Sequence, residues 1–192
     1  MDTPQPGRRV LILGGARSGK SSFAERMLAQ EPGPRPVTYA ATARRYPGDA
    51  EWAERIDRHR RQRPGHWRTV ETGERPGLLA ELLRGAEGPV LVDCLTLWLT
   101  SAMDAVGAWV EQAWAEGTAR TVLGQLTGDL VAAFAEARGP VVLVSNELGF
   151  GLVPPDPGGR RFRDELGRLN QACAAAAAEV HLVVAGLPLR LK

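Results

Sequence analysis

Lysine is almost absent from this 192-residue chain: only Lys20 and Lys192 occur, so nearly all of the positive charge is arginine. A coding preference accounts for most of that bias, although arginine is also the better residue for bidentate contacts to phosphate. Cysteine is equally sparse. Cys94 and Cys173 lie far apart and form no CxxC or Cys/His cluster, which excludes a disulfide scaffold and a structural zinc site. Charge of one sign is not in excess: the formal net charge is +2, so no global field draws the chain to nucleic acid. Long apolar runs are missing too. Val10–Leu13 is too short for a signal-peptide core, and no stretch reaches the length of a membrane span. A soluble, cytoplasmic protein is therefore expected. The length suits one domain over residues 1–192, and an apolar fraction of 44% is ordinary for a globular chain.

Short apolar runs alternate with longer amphipathic segments. Val10–Leu13, Val37–Ala41, Val90–Asp93, Val141–Ser145 and His181–Val184 read as buried strands. Helical patterns fall over Ser21–Ala29, Ala50–Arg63, Leu78–Arg84, Glu111–Arg138 (with a break) and Arg161–Ala178. Glu31–Pro36 and Pro154–Gly159 read as loops. A further helix around Thr96–Trp114 carries Trp98, Trp109 and Trp114, which suit core or subunit contacts better than a ligand site. This alternation predicts an α/β fold, a mostly parallel sheet with helices on both faces. Such sheets bind ligands beyond the carboxyl ends of their strands.

One segment meets that expectation directly. Gly14-Gly15-Ala16-Arg17-Ser18-Gly19-Lys20-Ser21 matches G-x-x-x-x-G-K-[ST] and lies between an apolar strand and a helix, the context the motif requires. Glycines let the backbone curl so that successive N–H groups point at phosphate oxygens, and the helix adds its positive end. Lys20 is expected on the terminal phosphates and Ser21 on magnesium. The fold expectation thereby sharpens to P-loop NTPase-like. Val90–Asp93 is a strand ending in an acid, and Asp93 is the candidate second holder of magnesium.

The run Arg55-Ile56-Asp57-Arg58-His59-Arg60-Arg61-Gln62-Arg63-Pro64 is unusual. Trp52 and Ile56 predict a buried stripe, while Arg55, His59 and Arg63 share another face. Pro64 ends the helix. An imidazole can attack phosphorus, and arginines can hold a triphosphate and its leaving pyrophosphate. Spacing alone favours the plainer reading, a solvated basic face with an incidental histidine. A nucleic-acid patch lacks an adjacent aromatic platform. His66, in a Pro-Gly-His-Trp turn, and His181, at the start of an apolar strand, read as structural.

Several segments together resemble the bifunctional adenosylcobinamide kinase/adenosylcobinamide-phosphate guanylyltransferase family of cobalamin biosynthesis. They are GGARSGKS, then Ala41-Thr42-Ala43, then RIxxHRxxRPxxWxTxE over Arg55–Glu71, then LVDC at Leu91–Cys94. Ser145-Asn146-Glu147 with Gly149–Gly151 and Val153-Pro154, Phe162-Arg163-Asp164 and Leu169-Asn170-Gln171 complete the set. The resemblance implies two reactions: phosphorylation of adenosylcobinamide by ATP or GTP, then transfer of GMP from GTP to the new phosphate. It implies a GMP–histidine intermediate at His59. It also implies nucleotide contacts from the phosphate loop, Ala41, Thr42, Ala43, Arg60, Arg61, Gln62, Arg63, Glu71 and Asp93, with magnesium as cofactor. A homotrimer is implied as well. Two features depart from the family pattern: Arg44–Gly48 lengthens the link to the histidine helix, and Arg58 precedes a single histidine where some relatives carry a pair. Two rival readings of the residues are a simple small-molecule kinase with an arginine-rich lid, and a non-catalytic nucleotide switch or nucleic-acid-associated NTPase. The cobinamide pocket is not legible beyond Asn146–Pro154 and Arg160–Asp164, which follow a strand.

Overall fold

The computed structural model describes residues 7–30 and 36–192, excluding the side chains of Arg55 and Gln62. The alternation of apolar residues in strand β1 (Arg9–Gly14) decides its place. Val10 and Ile12 enter one apolar cluster while Leu11 and Leu13 enter another, so both faces of the strand are covered. β1 pairs in parallel with β5 (Val141–Asn146) and β6 (Glu179–Val184). Outward from β5 come β4 (Val90–Asp93), β2 (Thr38–Ala41) and β3 (Arg68–Glu71), all parallel. On the other side β7 (Leu187–Arg190) runs antiparallel to β6, giving the order β3-β2-β4-β5-β1-β6-β7.

The five expected strands are present. β3 and β7, the two outer strands, were not expected. Each is four residues long and neither contains a buried residue, so neither carries the apolar run that marks the central strands. β7 also contains Pro188, which only an edge position tolerates. It is turned back by Ala185 and Gly186, whose φ values of 51° and 82° give the two left-handed residues of a tight hairpin.

Helix α1 (Lys20–Ala29) packs Ala24 and Leu28 against the face that carries Val10, Ile12, Val142 and Val144. The opposite face is covered by α3 (Gly77–Gly85), α4 (Leu95–Ala105), α6 (Thr118–Glu136) and α7 (Pro157–Ala176). α2 (Ala50–Gln62) and the short α5 (Glu111–Ala115) complete the set. Helices thus lie on both faces, unequally.

Three boundaries differ from expectation. The helix expected around Thr96–Trp114 stops at Ala105, where Gly107 takes a left-handed φ of 68°, and resumes only as α5. Trp98 is buried in the core and donates its indole N–H to the Pro76 carbonyl, whereas Trp109 is partly exposed and donates to Asp104. The break expected within Glu111–Arg138 falls at Gly117. Pro157–Gly159, expected in a loop, forms the first turn of α7: Asp156 caps it by accepting the Gly159 N–H at 2.6 Å, and a proline at the first helical position loses no hydrogen bond. The expected loop at Glu31–Pro36 lies almost wholly outside the described residues.

Candidate active site

The chain leaves β1 through a turn that only glycine permits. A Cβ on Gly14 would sit 2.5 Å from Ser18 Oγ and 2.6 Å from the Val183 carbonyl oxygen. Arg17 and Gly19 then take φ values of 56° and 91°, which curls the backbone into α1. Among the described residues no side chain caps the α1 N-terminus, which leaves its N–H groups to an anion. Lys20 lies back across the loop, its Nζ donating to the Gly15 carbonyl at 3.0 Å. The hairpin supports the loop from outside, Gly186 N–H donating to the Ser18 carbonyl at 2.8 Å.

A cavity of about 560 Å³ opens above this loop. Its floor is Ala16–Ser22; Asp93 and Asn146 end β4 and β5, Cys94 follows β4, and Tyr39 comes from within β2. Trp52, Ile56, His59 and Arg63 line it from α2 and its C-terminal cap. Trp52 and Ile56 are thus only half-buried and face the cavity instead of the expected core stripe. α2 is held by a few polar ties. Asp49 caps it by accepting the Trp52 N–H at 2.9 Å, Trp52 Nε1 donates to the Arg44 carbonyl at 2.8 Å, and Arg45 pairs with Asp57 at 2.8 Å. Arg63 takes extended backbone before Pro64 and ends the helix.

Charge in the cavity is organised around Asp93. Tyr39 Oη donates to its Oδ2 at 2.6 Å, and the Arg63 guanidinium lies 3.7 Å above the Tyr39 ring. Burial, followed by the Asp93 charge, pushes the Tyr39 phenol up, so Tyr39 remains a donor. Burial and then Asp93 also raise the carboxyl of Glu25, in the second turn of α1. Cys94 is pushed up to about 11, mainly by burial, which favours its thiol form.

Of the residues expected at the site, Ala16, Arg17, Ser18, Gly19, Lys20, Ser21, His59, Arg63 and Asp93 line this one cavity. Gly14 and Gly15 shape the loop beneath it. Thr42 is fully buried, and its hydroxyl donates to the Cys94 carbonyl at 2.7 Å and accepts the Cys94 N–H at 2.8 Å. Ala41 ends β2, and Ala43 follows Thr42 with its carbonyl packed on Gly73. Glu71 is exposed at the end of β3, and Arg60 and Arg61 are exposed on α2. None of these lines the cavity. Gln62 and Arg55 lie outside the described side chains. Sequence reasoning missed Tyr39 and Glu25; neither sits in a recognisable motif, and both matter through residues remote in sequence. His66 is exposed, while His181 is buried, with its Nε2 3.3 Å from Glu179 and its ring edge-on to Phe23.

A glycine-shaped loop opening a helix, an acid at the end of the strand beside it and a parallel sheet define a P-loop nucleotide-binding protein. Solved structures agree at the level of fold. A prototypical ATPase of a bacterial type III secretion system matches with a TM-score of 0.51 at 16% identity, covering 92% of this chain and 52% of that one. EscN of enteropathogenic E. coli matches with a TM-score of 0.51 at 15% identity, covering 93% of this chain and 43% of that one. Residues 10–191 match the family described as cobinamide kinase / cobinamide phosphate guanyltransferase, and the chain belongs to that family. The bifunctional adenosylcobalamin biosynthesis protein CobP of Pseudomonas aeruginosa is 46% identical over 96% of this chain and 97% of its own length. Proteins named CobU from Escherichia coli and Salmonella typhimurium are 40% and 38% identical, each over 95% of this chain and 99% of their own length.

Proposed function

We propose that this enzyme phosphorylates adenosylcobinamide with a nucleoside triphosphate and then transfers GMP from GTP to adenosylcobinamide phosphate, using one nucleotide cavity for both steps. The observation that carries this reading is the meeting of Lys20, Asp93 and His59 around a single cavity. In the kinase step the acceptor hydroxyl oxygen attacks the γ-phosphorus. The β–γ bridge breaks, the nucleoside diphosphate leaves and the hydroxyl proton is released. Little covalent work falls to the protein, so Lys20 and the loop N–H groups act by holding and neutralising the transferring group.

In the second step a ring nitrogen of His59 attacks the α-phosphorus of GTP and the α–β bridge breaks, releasing pyrophosphate. Arg63 lines the same wall and offers charge to the departing oxygens. A phosphate oxygen of the acceptor then attacks the histidine-bound phosphorus, the P–N bond breaks, and His59 is restored. Cys94, which also lines the cavity, is kept as a thiol by burial.

The donor set fits magnesium. A hydroxyl from Ser21 and a carboxylate from Asp93 are hard oxygen ligands, and magnesium takes one or two protein groups with nucleotide phosphates and water completing the shell. Among the described residues no cluster of three or more His, Cys, Asp or Glu forms a dedicated metal cage, which suits that sparse mode. Bound there, the ion would neutralise phosphate charge. The resemblance further suggests a homotrimer working in the cytoplasm on small molecules; among the described residues no helix is long and apolar enough to cross a membrane. Size-exclusion light scattering tests the trimer.

The deciding experiment is incubation with α-labelled GTP and magnesium, followed by intact-mass analysis and peptide mapping. One acid-labile, alkali-stable GMP on His59, reversed by pyrophosphate, is expected. Label on another residue, or none, would leave a simple P-loop kinase as the better reading.

A further inference from the structure

A second cavity, of about 570 Å³, lies on the other side of the β1–β5 junction. Leu13, the last β1 residue before the phosphate-loop turn, lines it, as do Glu147 and Leu148, which follow β5. Its remaining wall is α7, including Arg163, Asp164, Arg168 and Asn170. The two cavities adjoin at the carboxyl end of β5, where a residue lining one hydrogen-bonds a residue lining the other. Asn146 lines the nucleotide cavity, its backbone and side-chain N–H groups donate to Thr96 Oγ1 at 3.0 Å, and its carbonyl accepts from Asn170 Nδ2 at 3.0 Å.

Two lining side chains hold unspent hydrogen-bonding capacity. Asn170 is 5% exposed, and its Oδ1 is buried with no partner among the described residues. Arg163 donates through Nη2 to the Gly149 carbonyl at 3.1 Å, but its Nη1 is buried with no partner among the described residues. Leaving such groups unsatisfied is costly, which points to a ligand that completes them. The other charged groups of the wall are partly engaged. Glu147 accepts the Gly149 N–H at 2.7 Å, and Arg168 donates to Glu165 at 2.5 Å. Asp164 is exposed at the rim.

We propose that this second cavity is the acceptor subsite, taking the aminopropanol arm of the corrinoid, with Arg163 binding its phosphate monoester in the guanylyl-transfer step and Asn170 Oδ1 accepting a hydrogen bond from the arm. The inference rests on the two-step reading above. The cavity volume suits a short polar arm and not a whole corrin macrocycle, so the ring stays outside. The chain runs from the lining residue Gly149 straight into Phe150, Leu152 and Val153, which are 83%, 97% and 66% exposed and give the ring an apolar surface. A guanidinium is matched to a phosphate and far less to an alcohol. Arg163 therefore distinguishes the acceptor of the second step from that of the first.

The test compares Arg163→Met and Arg163→Lys with wild type in both half-reactions, with GMP-adduct formation from GTP as the control for folding and for the nucleotide cavity. Arg163→Met is expected to raise KM for adenosylcobinamide phosphate by about tenfold or more, and KM for adenosylcobinamide by a clearly smaller factor. Arg163→Lys should recover part of the difference. Aminopropanol phosphate should inhibit wild-type guanylyl transfer competitively and inhibit Arg163→Met much less. Equal changes in both KM values, no change in either, or equal inhibition of both proteins by the fragment would overturn the assignment. Loss of the adduct in both variants would mean that Arg163 supports the fold instead. Wild-type protein that lacks guanylyl transfer altogether would sink the two-step reading itself, a result distinct from any of these.

Discussion

The phosphate loop and helix α2 face the same cavity but are held in opposite ways. The loop grows out of β1, whose residues 10–12 are completely buried, and runs into α1, which buries Ala24 and Leu28. α2 has no buried residue among those described; it is tied by its Asp49 cap, the Trp52 indole and one exposed ion pair. Exposed ion pairs contribute little, and segments with few buried contacts open at low free energy. A rigid seat for phosphates and a lightly held helix carrying His59 suit the proposed reaction pair, in which both steps use the phosphate loop and only guanylyl transfer uses His59.

Removing function from each side should separate the two steps. His59→Ala is expected to lose the GMP adduct and to cut guanylyl transfer by on the order of 10⁴-fold or more, while kinase turnover remains measurable. Half-reaction assays decide this, and a parallel collapse of both activities would break the division of labour. Lys20→Ala should lower kinase turnover by roughly a hundredfold or more in a folded protein, with circular dichroism as the control. Near-normal phosphorylation would remove Lys20 from the transferring group.

Smaller effects sharpen the comparison. Asp93→Asn should shift the magnesium concentration for half-maximal activity upward more than it weakens nucleotide binding. An unchanged magnesium titration would leave Asp93 only its hydrogen bond from Tyr39. Trp52→Ala should slow adduct formation by about tenfold, since positioning of the proposed nucleophile His59 is lost, while the thermal midpoint moves little. Hydrogen exchange should find α2 amides faster than those of β1, and slowed by GTP. Equal protection of the two elements would contradict their different attachment. The least effect on turnover is expected for Thr42→Val, which strands the buried Cys94 N–H and carbonyl. Chemical denaturation should show a loss of about 1–3 kcal/mol, and a neutral result would mean those groups find other partners.

The central strands were legible because burial on both faces demands uninterrupted apolar runs, as in Val141–Val144. The edge strands β3 and β7 were not, because an exposed edge imposes no such pattern. The phosphate loop could be read from eight consecutive residues, since its backbone performs the binding and its glycines are needed locally. His59 could be singled out only as one histidine on a basic helix, with the family resemblance adding its role.

Sequence by itself determined the alternating α/β order and the nucleotide loop, because each is encoded over a few neighbouring residues. Tertiary structure alone decided that Trp52 and Ile56 face a cavity and not a core, that Thr42 bonds the Cys94 backbone, and that Tyr39 serves Asp93. It also brought Arg163 and Asn170 together in a second cavity and bonded Asn170 to Asn146, which lines the first. These relations join residues separated by up to dozens of positions, and parallel strand register is what sets them: Tyr39 lies beside Leu91 in the ladder, within reach of Asp93 two residues on. No local pattern encodes a neighbour across a sheet.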